Sequence, residues 1–300
     1  MSVVECRNLK KTYGNINAVN DISFELGENK IVGLIGRNGA GKTTLLKLIA
    51  GFLRPTSGDI KVFSQSPFNN IPVSSNMIFI DDNLVFPAYF SLSDILKAAG
   101  RFYKNWDAEL AERLLDYFSL NFRQCHNKLS KGMKSTFNTI IGIASHCPLT
   151  IFDEPTTGMD SAVRKDFYRA LLKDYVEHPR IIILSSHLLN EIEDILEDIL
   201  LLKDGTKCLH MPVLDLKEYA VGLRGNAGEI YRLIGDKQAL YSESFAKENA
   251  YVVIRNDMAQ PQIQQVKAAG INISAVPADD ICVYLTAKTK GGINDVFNRG

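Results

Sequence analysis

Short, densely apolar runs alternate along the chain with stretches in which apolar residues recur at helical spacing, so strands and helices are interleaved. Near the start, residues 3–6 and 22–26 alternate apolar and polar side chains and read as short antiparallel strands. Residues 30–35 (KIVGLI) are apolar nearly throughout, as a strand buried on both faces must be. A glycine-rich stretch follows, and then residues 43–50 (TTLLKLIA) take helical spacing and stop at Gly51, a suitable helix C-terminus.

From about 84 to 147 the character changes. Residues 93–103, 107–118 and 135–144 each place their apolar side chains on a helical face, which predicts a helical subdomain. Buried-strand runs return at 149–152 (LTIF) and 181–184 (IIIL), with a helix predicted over 161–175 between them, as a βαβ unit requires. Residues 188–196 read as another amphipathic helix, and 199–202 (ILLL) as a strand ending at the Asp204-Gly205 turn. Pro212 marks a boundary. Beyond it, strand-like pieces (221–223, 251–255, 271–276) alternate with helix-like ones (227–234, 260–269), which fits the β-α-β-β-α-β order of the ferredoxin-like pattern. The prediction is an α/β domain over 1–211, with a mixed core sheet, N-terminal antiparallel strands and a helical subdomain. A small α+β domain follows over 212–300. No internal repeat is present, which excludes a solenoid.

Composition narrows the class without changing this picture. Of 300 residues, 46% are hydrophobic and 23% charged, the balance of an ordinary globular protein. The 34 basic and 34 acidic side chains cancel, so no global attraction to nucleic acid or an anionic membrane is expected. Five dispersed cysteines (Cys6, Cys125, Cys147, Cys208, Cys282) include no Cys-x-x-Cys pair and fit a reducing, cytosolic compartment. The first residues, MSVVECRNLKK, lack the apolar centre of a secretory signal. The apolar runs are far too short to span a bilayer, so any membrane span is expected from another chain.

The chemistry concentrates at four places. Gly36-Arg37-Asn38-Gly39-Ala40-Gly41-Lys42-Thr43 fits G-x-x-x-x-G-K-[ST], placed between a buried strand and a helix, and Thr44 follows it. Its glycines let successive N–H groups face a phosphate, Lys42 reaches the outer phosphates, and the Thr43 hydroxyl suits Mg²⁺. Asp153 and Glu154 close the strand LTIF, where one carboxylate can hold Mg²⁺ and the other can orient or deprotonate an attacking water. Ser130 and Gly132, in LSKGM, open a helix, with Ser130 as N-cap. Taken alone, a Ser-x-Gly of this kind is more often only a cap. Finally, Ser185-Ser186-His187 follows the strand IIIL.

In this order the motifs resemble the nucleotide-binding subunit of an ABC transporter over residues 2 to about 210, and phrases such as LSKGMKS and EHPRIIILSSHLLNEIE are similar to the exporter branch for drugs, peptides and antibiotic resistance. The resemblance implies a P-loop NTPase of ABC type that hydrolyses ATP with Mg²⁺. Tyr13 in KKTYG would stack on adenine, and Gly36, Asn38, Gly39, Ala40, Gly41, Lys42, Thr43 and Thr44 would bind the phosphates. Glu154 would be the base, assisted by Lys42 and by His187 as the switch histidine, while Thr43 and Asp153 would hold the metal. Asp160, in a TGMD loop, would lie near a dimer axis, and Ser130 and Gly132 would complete the ATP site of a second, head-to-tail subunit. Separate permease chains would supply the membrane span and hold this chain at the inner face of the membrane. Phe86, Tyr89 and Phe90 fall where the family docks its membrane subunit. Residues 279–286 are similar to the short helix that often ends such exporters.

Two positions depart from the family pattern. Asp82 stands where a metal-contacting glutamine is expected, with Asp81 as the alternative if the alignment slips by one, and Lys131 replaces the first glycine of the signature. Two other uses of such a cassette are weighed against transport. A soluble ABC ATPase on ribosomes or DNA is disfavoured by the single cassette, the short insertion before the signature and the neutral charge. A drug-sensing regulatory complex is separated from transport only by its partner genes.

Overall fold

A computed structural model describes residues 2–245 and 248–287 of the protein. The chain divides into two compact units, one ending at His210 and the other beginning at Met211. In the first unit, β1 (Ser2–Tyr13) and β2 (Ile16–Gly27) form an antiparallel hairpin in which Cys6 faces Phe24. Register shifts between Cys6 and Leu9 and again between Leu9 and Thr12 interrupt the period-two alternation. The pattern therefore exposes only short pieces of two strands that are each 12 residues long.

The chain continues through β3 (Ile31–Ile35), α1 (Lys42–Ile49), β4 (Ser57–Val62), α2 (Ile71–Ser74) and β5 (Met77–Ile80). Then come α3 (Leu92–Phe102), α4 (Ala108–Tyr117), α5 (Lys131–Ala144), β6 (Leu149–Asp153), α6 (Ser161–Glu177), β7 (Ile181–Ser186), β8 (Asp198–Lys203) and β9 (Thr206–Pro212). Strand β4 pairs with the free edge of β1, giving a sheet of order β2-β1-β4. The core sheet has the order β5-β6-β7-β3-β8-β9, and β5, β6, β7, β3 and β8 pair in parallel. Every residue of β3, β6 and β7 is buried, as their unbroken apolar runs predict.

Helix α1 is clamped between the two sheets. Its Leu45, Leu46, Leu48 and Ile49 cover more than one face, and they share one apolar cluster with Val4 and Ile22 of the hairpin and Ile151 and Ile183 of the core sheet. A helix apolar on two sides must be covered on both, and that clamp immobilises the loop entering it. In the helical region, Ser91, Asp107 and Ser130 cap α3, α4 and α5. Helix α5 starts at Lys131, ahead of its apolar stripe, because the Ser130 cap secures a first turn that buries little.

One predicted element takes a different form. Residues 188–196 form two 3₁₀ turns, Leu189–Glu191 and Glu193–Ile195, in place of an α-helix. The buried residues Leu189, Ile192 and Leu196 do carry the apolar spacing, but their intervals of three and four serve successive 3₁₀ turns as well as an α-helix. Ile192, at φ −125°, breaks the helical path between the turns.

The second unit contains α7 (Val213–Lys217), β10 (Ala220–Asn226), α8 (Ala227–Ile234), β11 (Tyr241–Phe245), β12 (Asn249–Arg255), α9 (Gln260–Ala268), β13 (Asn272–Ala275) and α10 (Ala278–Thr286). Its sheet has the order β11-β12-β10-β13 with antiparallel neighbours throughout. The strand that returns from each crossover helix skips one neighbour, which is the split-βαβ, ferredoxin-like arrangement. Leu223, Ile230, Val252, Ile254 and Val266 form a core of its own.

Candidate nucleotide-binding site

The glycine loop runs from the end of β3 into α1. Gly41 is the N-cap of α1 at φ 99°, and a Cβ there would lie 2.2 Å from the Ala18 carbonyl oxygen of β2. Only glycine combines that left-handed conformation with so close an approach. Helix α1 has neither a side-chain cap nor an acidic residue in its first turn. Its first N–H groups and dipole thus remain available to an anion.

A cavity of about 790 Å³ opens over this loop. Tyr13, Asn38, Gly39, Ala40, Gly41, Lys42, Thr43, Thr44, Asp82, Asp153, Glu154 and His187 all line it. Gly36 supports it from below: its carbonyl accepts a hydrogen bond from Lys42 Nζ at 2.7 Å, which points the buried lysine along the loop. Of the two candidate aspartates, Asp82 faces the cavity, whereas the Asp81 side chain accepts from the Asn83 backbone N–H at 3.1 Å.

The opposite wall is set by strand register. Asp153 at the end of β6 pairs with Ser185 of β7, and Ser185 pairs with Leu34 of β3. Ser185 Oγ donates to Asp153 Oδ1 at 2.6 Å and accepts the Glu154 N–H at 2.9 Å. Burial pushes the Asp153 carboxyl up, while hydrogen bonds from Ser185 and Thr43 oppose the shift. Glu154 takes φ 48°, a costly conformation for a residue with a side chain, held here by its surroundings. Its Oε2 lies 2.9 Å from His187 Nδ1, and its Oε1 lies 3.3 Å from Lys42 Nζ, within ion-pair reach but off the hydrogen-bond axis.

Ser130, Gly132 and Asp160 do not line this cavity. Ser130 caps α5 by accepting from Met133 N–H, and Asp160 caps α6 by accepting from Ala162 and Val163. A Cβ on Gly132 would sit 2.3 Å from the Gly158 carbonyl oxygen, so this glycine lets the start of α5 touch the loop that follows Glu154. Ser135 Oγ reinforces that contact by donating to the Thr157 carbonyl at 2.7 Å. The two residues that depart from the family pattern meet each other: Lys131 Nζ is 3.8 Å from Asp82 Oδ2, in a solvent-exposed pair.

Several lining residues escaped the sequence reading. Ile16, Asn17, Ala18 and Arg37 line the cavity, as do Asn83, Thr157 and Asp204. Ser185, buried behind the wall, was singled out only as a neighbour of His187. Its one signal is a hydroxyl where the apolar run of β7 gives way to two serines. Among the aromatics, Phe86 and Phe90 line a separate apolar groove of about 280 Å³ with Phe102 and Tyr103. Tyr89 stands outside the groove, 79% exposed.

A glycine loop between a buried strand and a helix, facing two carboxylates across one intervening strand, defines a P-loop nucleoside triphosphatase. The family model described as ABC transporter matches residues 19–157. An uncharacterised ABC transporter ATP-binding protein of Methanocaldococcus jannaschii is 31% identical over 69% of this chain and 76% of its own length. The bacitracin transport ATP-binding protein BcrA of Enterococcus faecalis is 31% identical over 68% of this chain and 67% of its own. A solved ATP-binding subunit of an ABC transporter superposes with a TM-score of 0.65 at 26% identity, covering 72% of this chain and 92% of that one. The chain belongs to the ABC transporter ATP-binding family, and it is an ATP-binding subunit with ATPase chemistry. Among the described residues, no helix is long and apolar enough to cross a membrane.

Proposed function

We propose that this chain powers a separate transmembrane permease that exports a drug, peptide or similar small molecule, with residues 212–300 as an accessory domain. The convergence of Lys42, Asp153, Glu154 and His187 on one cavity carries the reading. A relative named as the SkfA peptide export ATP-binding protein SkfE of Bacillus subtilis supports the export direction. In this proposal Tyr13 stacks on adenine, while Asn38 to Thr44 and the N-terminus of α1 hold the phosphates.

The Thr43 hydroxyl and Asp153 carboxylate are adjacent hard oxygen donors and fit Mg²⁺, with Asp82 on the same cavity as a third oxygen. The bound ion would supply neutralisation of phosphate charge. Glu154 takes a proton from water as the water oxygen bonds to the γ-phosphorus and the bond to the β-phosphate oxygen breaks, releasing ADP. His187 holds Glu154 Oε2 and keeps the carboxylate aimed. Ser130, Gly132 and Asp160, which lie away from this chain's own cavity, serve the site of a second subunit placed head to tail. The groove at Phe86 and Phe90 docks a permease segment at the inner face of the membrane.

Glu154→Gln tests the centre of this reading. The variant should still bind ATP while its turnover falls about 10²- to 10⁴-fold, the usual contribution of a positioned base. Wild-type turnover would remove Glu154 from the mechanism. Co-purification from the native membrane should bring down permease chains, and their absence would argue against transport.

A further inference from the structure

The ends of β6 and β7 remote from the nucleotide cavity hold a second ionisable cluster. His146 precedes β6, Asp174 lies in the last turn of α6, and His178 follows that helix just before β7. The three offer ligand atoms that all lie within 4.8 Å of one another. Asp174 Oδ1 is 2.7 Å from His146 Nε2 and 3.5 Å from His178 Nδ1. The two imidazoles stack with centroids 4.2 Å apart. Both histidines line a cavity of about 520 Å³, so the cluster is reachable from solvent.

Arg180 holds the cluster from behind. Its Nη2 lies 2.7 Å from Asp174 Oδ2, an ion pair off the hydrogen-bond axis, and its other N–H groups donate to the His178 carbonyl and the Thr150 hydroxyl. That leaves Oδ1 alone to face the two rings. Burial would raise the Asp174 carboxyl, but the His146 hydrogen bond and Arg180 outweigh it and hold it below its ordinary value. Hydrogen bonding and ion pairing account for His146 and Arg180. They do not account for His178, which stays too far from Oδ1 for a good hydrogen bond and, though half-exposed, stacks on a second imidazole.

We propose that His146, Asp174 and His178 bind one divalent transition-metal ion of the zinc class at the end of β6 and β7 opposite the nucleotide cavity. Two imidazole nitrogens and one carboxylate oxygen suit Zn²⁺ or Co²⁺, whereas Mg²⁺ and Ca²⁺ prefer oxygen throughout. Water from the cavity takes the fourth position. Arg180 orients the carboxylate as a metal site's supporting partners do, while its charge keeps affinity below that of a zinc finger. The ion fastens the end of α6 to the starts of the strands that carry Glu154 and His187.

The test uses the full chain, stripped with chelator and free of nucleotide, titrated with Co²⁺ and then Zn²⁺. One Co²⁺ per chain should give the visible bands of a tetrahedral ion without the near-ultraviolet band of a thiolate ligand, which separates this site from the free cysteines. His178→Ala should abolish the bands and the Zn²⁺-dependent rise in Tm, while His210→Gln should keep both. His178 is half-exposed, so its loss leaves the fold intact. His146→Gln should reduce affinity at least tenfold. Bands that persist in His178→Ala, or a wild-type chain that gives neither bands nor a Tm shift, would overturn the proposal.

Discussion

Ser185 joins two carboxylates with one hydroxyl, donating to Asp153 and accepting from the backbone of Glu154. Ser185→Ala removes a hydrogen bond to a buried charge, worth about 1.5 kcal/mol or more, which is about one pH unit of further upward shift at Asp153. The acid limb of the ATPase pH–rate profile should therefore move by about one unit to higher pH. The sign for stability is the reverse of the usual carboxylate case. A carboxyl raised by burial binds its proton more readily folded than unfolded, so its contribution falls as pH rises between its ordinary and its folded value. Residues 36–43 were legible because one contiguous spacing encodes both loop and chemistry. Tyr13 and Asp82 were legible only through a family pattern. Ser185 and Ala18 were not legible, because one acts through strand register and the other through a backbone carbonyl that any residue could supply.

At the scale of elements, the first turn of α5 leans on the loop after Glu154. Gly132→Ala drives a methyl group into the Gly158 carbonyl, backbone against backbone. It should cost about 1–3 kcal/mol in urea unfolding even without nucleotide, and it should depress turnover by displacing Thr157. Lys131→Ala, at an exposed pair, should change stability by less than about 1 kcal/mol. Unfolding curves of the two variants separate an intrachain packing role for this motif from a purely intersubunit one. Uninterrupted apolar runs gave β3, β6 and β7 away. The pattern shows the two antiparallel strands of the hairpin but not their full length, because a bulge hides alternation, and it suggests an α-helix at 189–195 because 3₁₀ turns share its intervals. Strand β4, with only Ile60 and Val62 buried, carries little pattern, whereas β5 (MIFI) is an apolar run of only four residues.

Across the whole molecule, the two units keep separate apolar cores. Ile254→Ala, at a fully buried position of the second core, should cost that unit about 2–5 kcal/mol. ATP affinity should stay within about twofold of wild type, since none of the cavity-lining residues comes from that core. Denaturation followed alongside nucleotide titration checks both halves of the prediction. The ferredoxin-like order of the second unit is only partly readable from its alternation of elements, since the largely exposed β11 shows no apolar run, and its chemistry is not readable, for want of any motif. The core sheet also imposes a schedule on synthesis. Strand β3, which carries the glycine loop, lies between β7 and β8, and both come from beyond residue 180. A growing chain therefore displays its phosphate loop long before that loop's strand can acquire either neighbour. Until the ribosome has released residues 181–203, the nascent protein is an unpaired apolar strand with a ligand site attached, and this interval is when it most needs a chaperone.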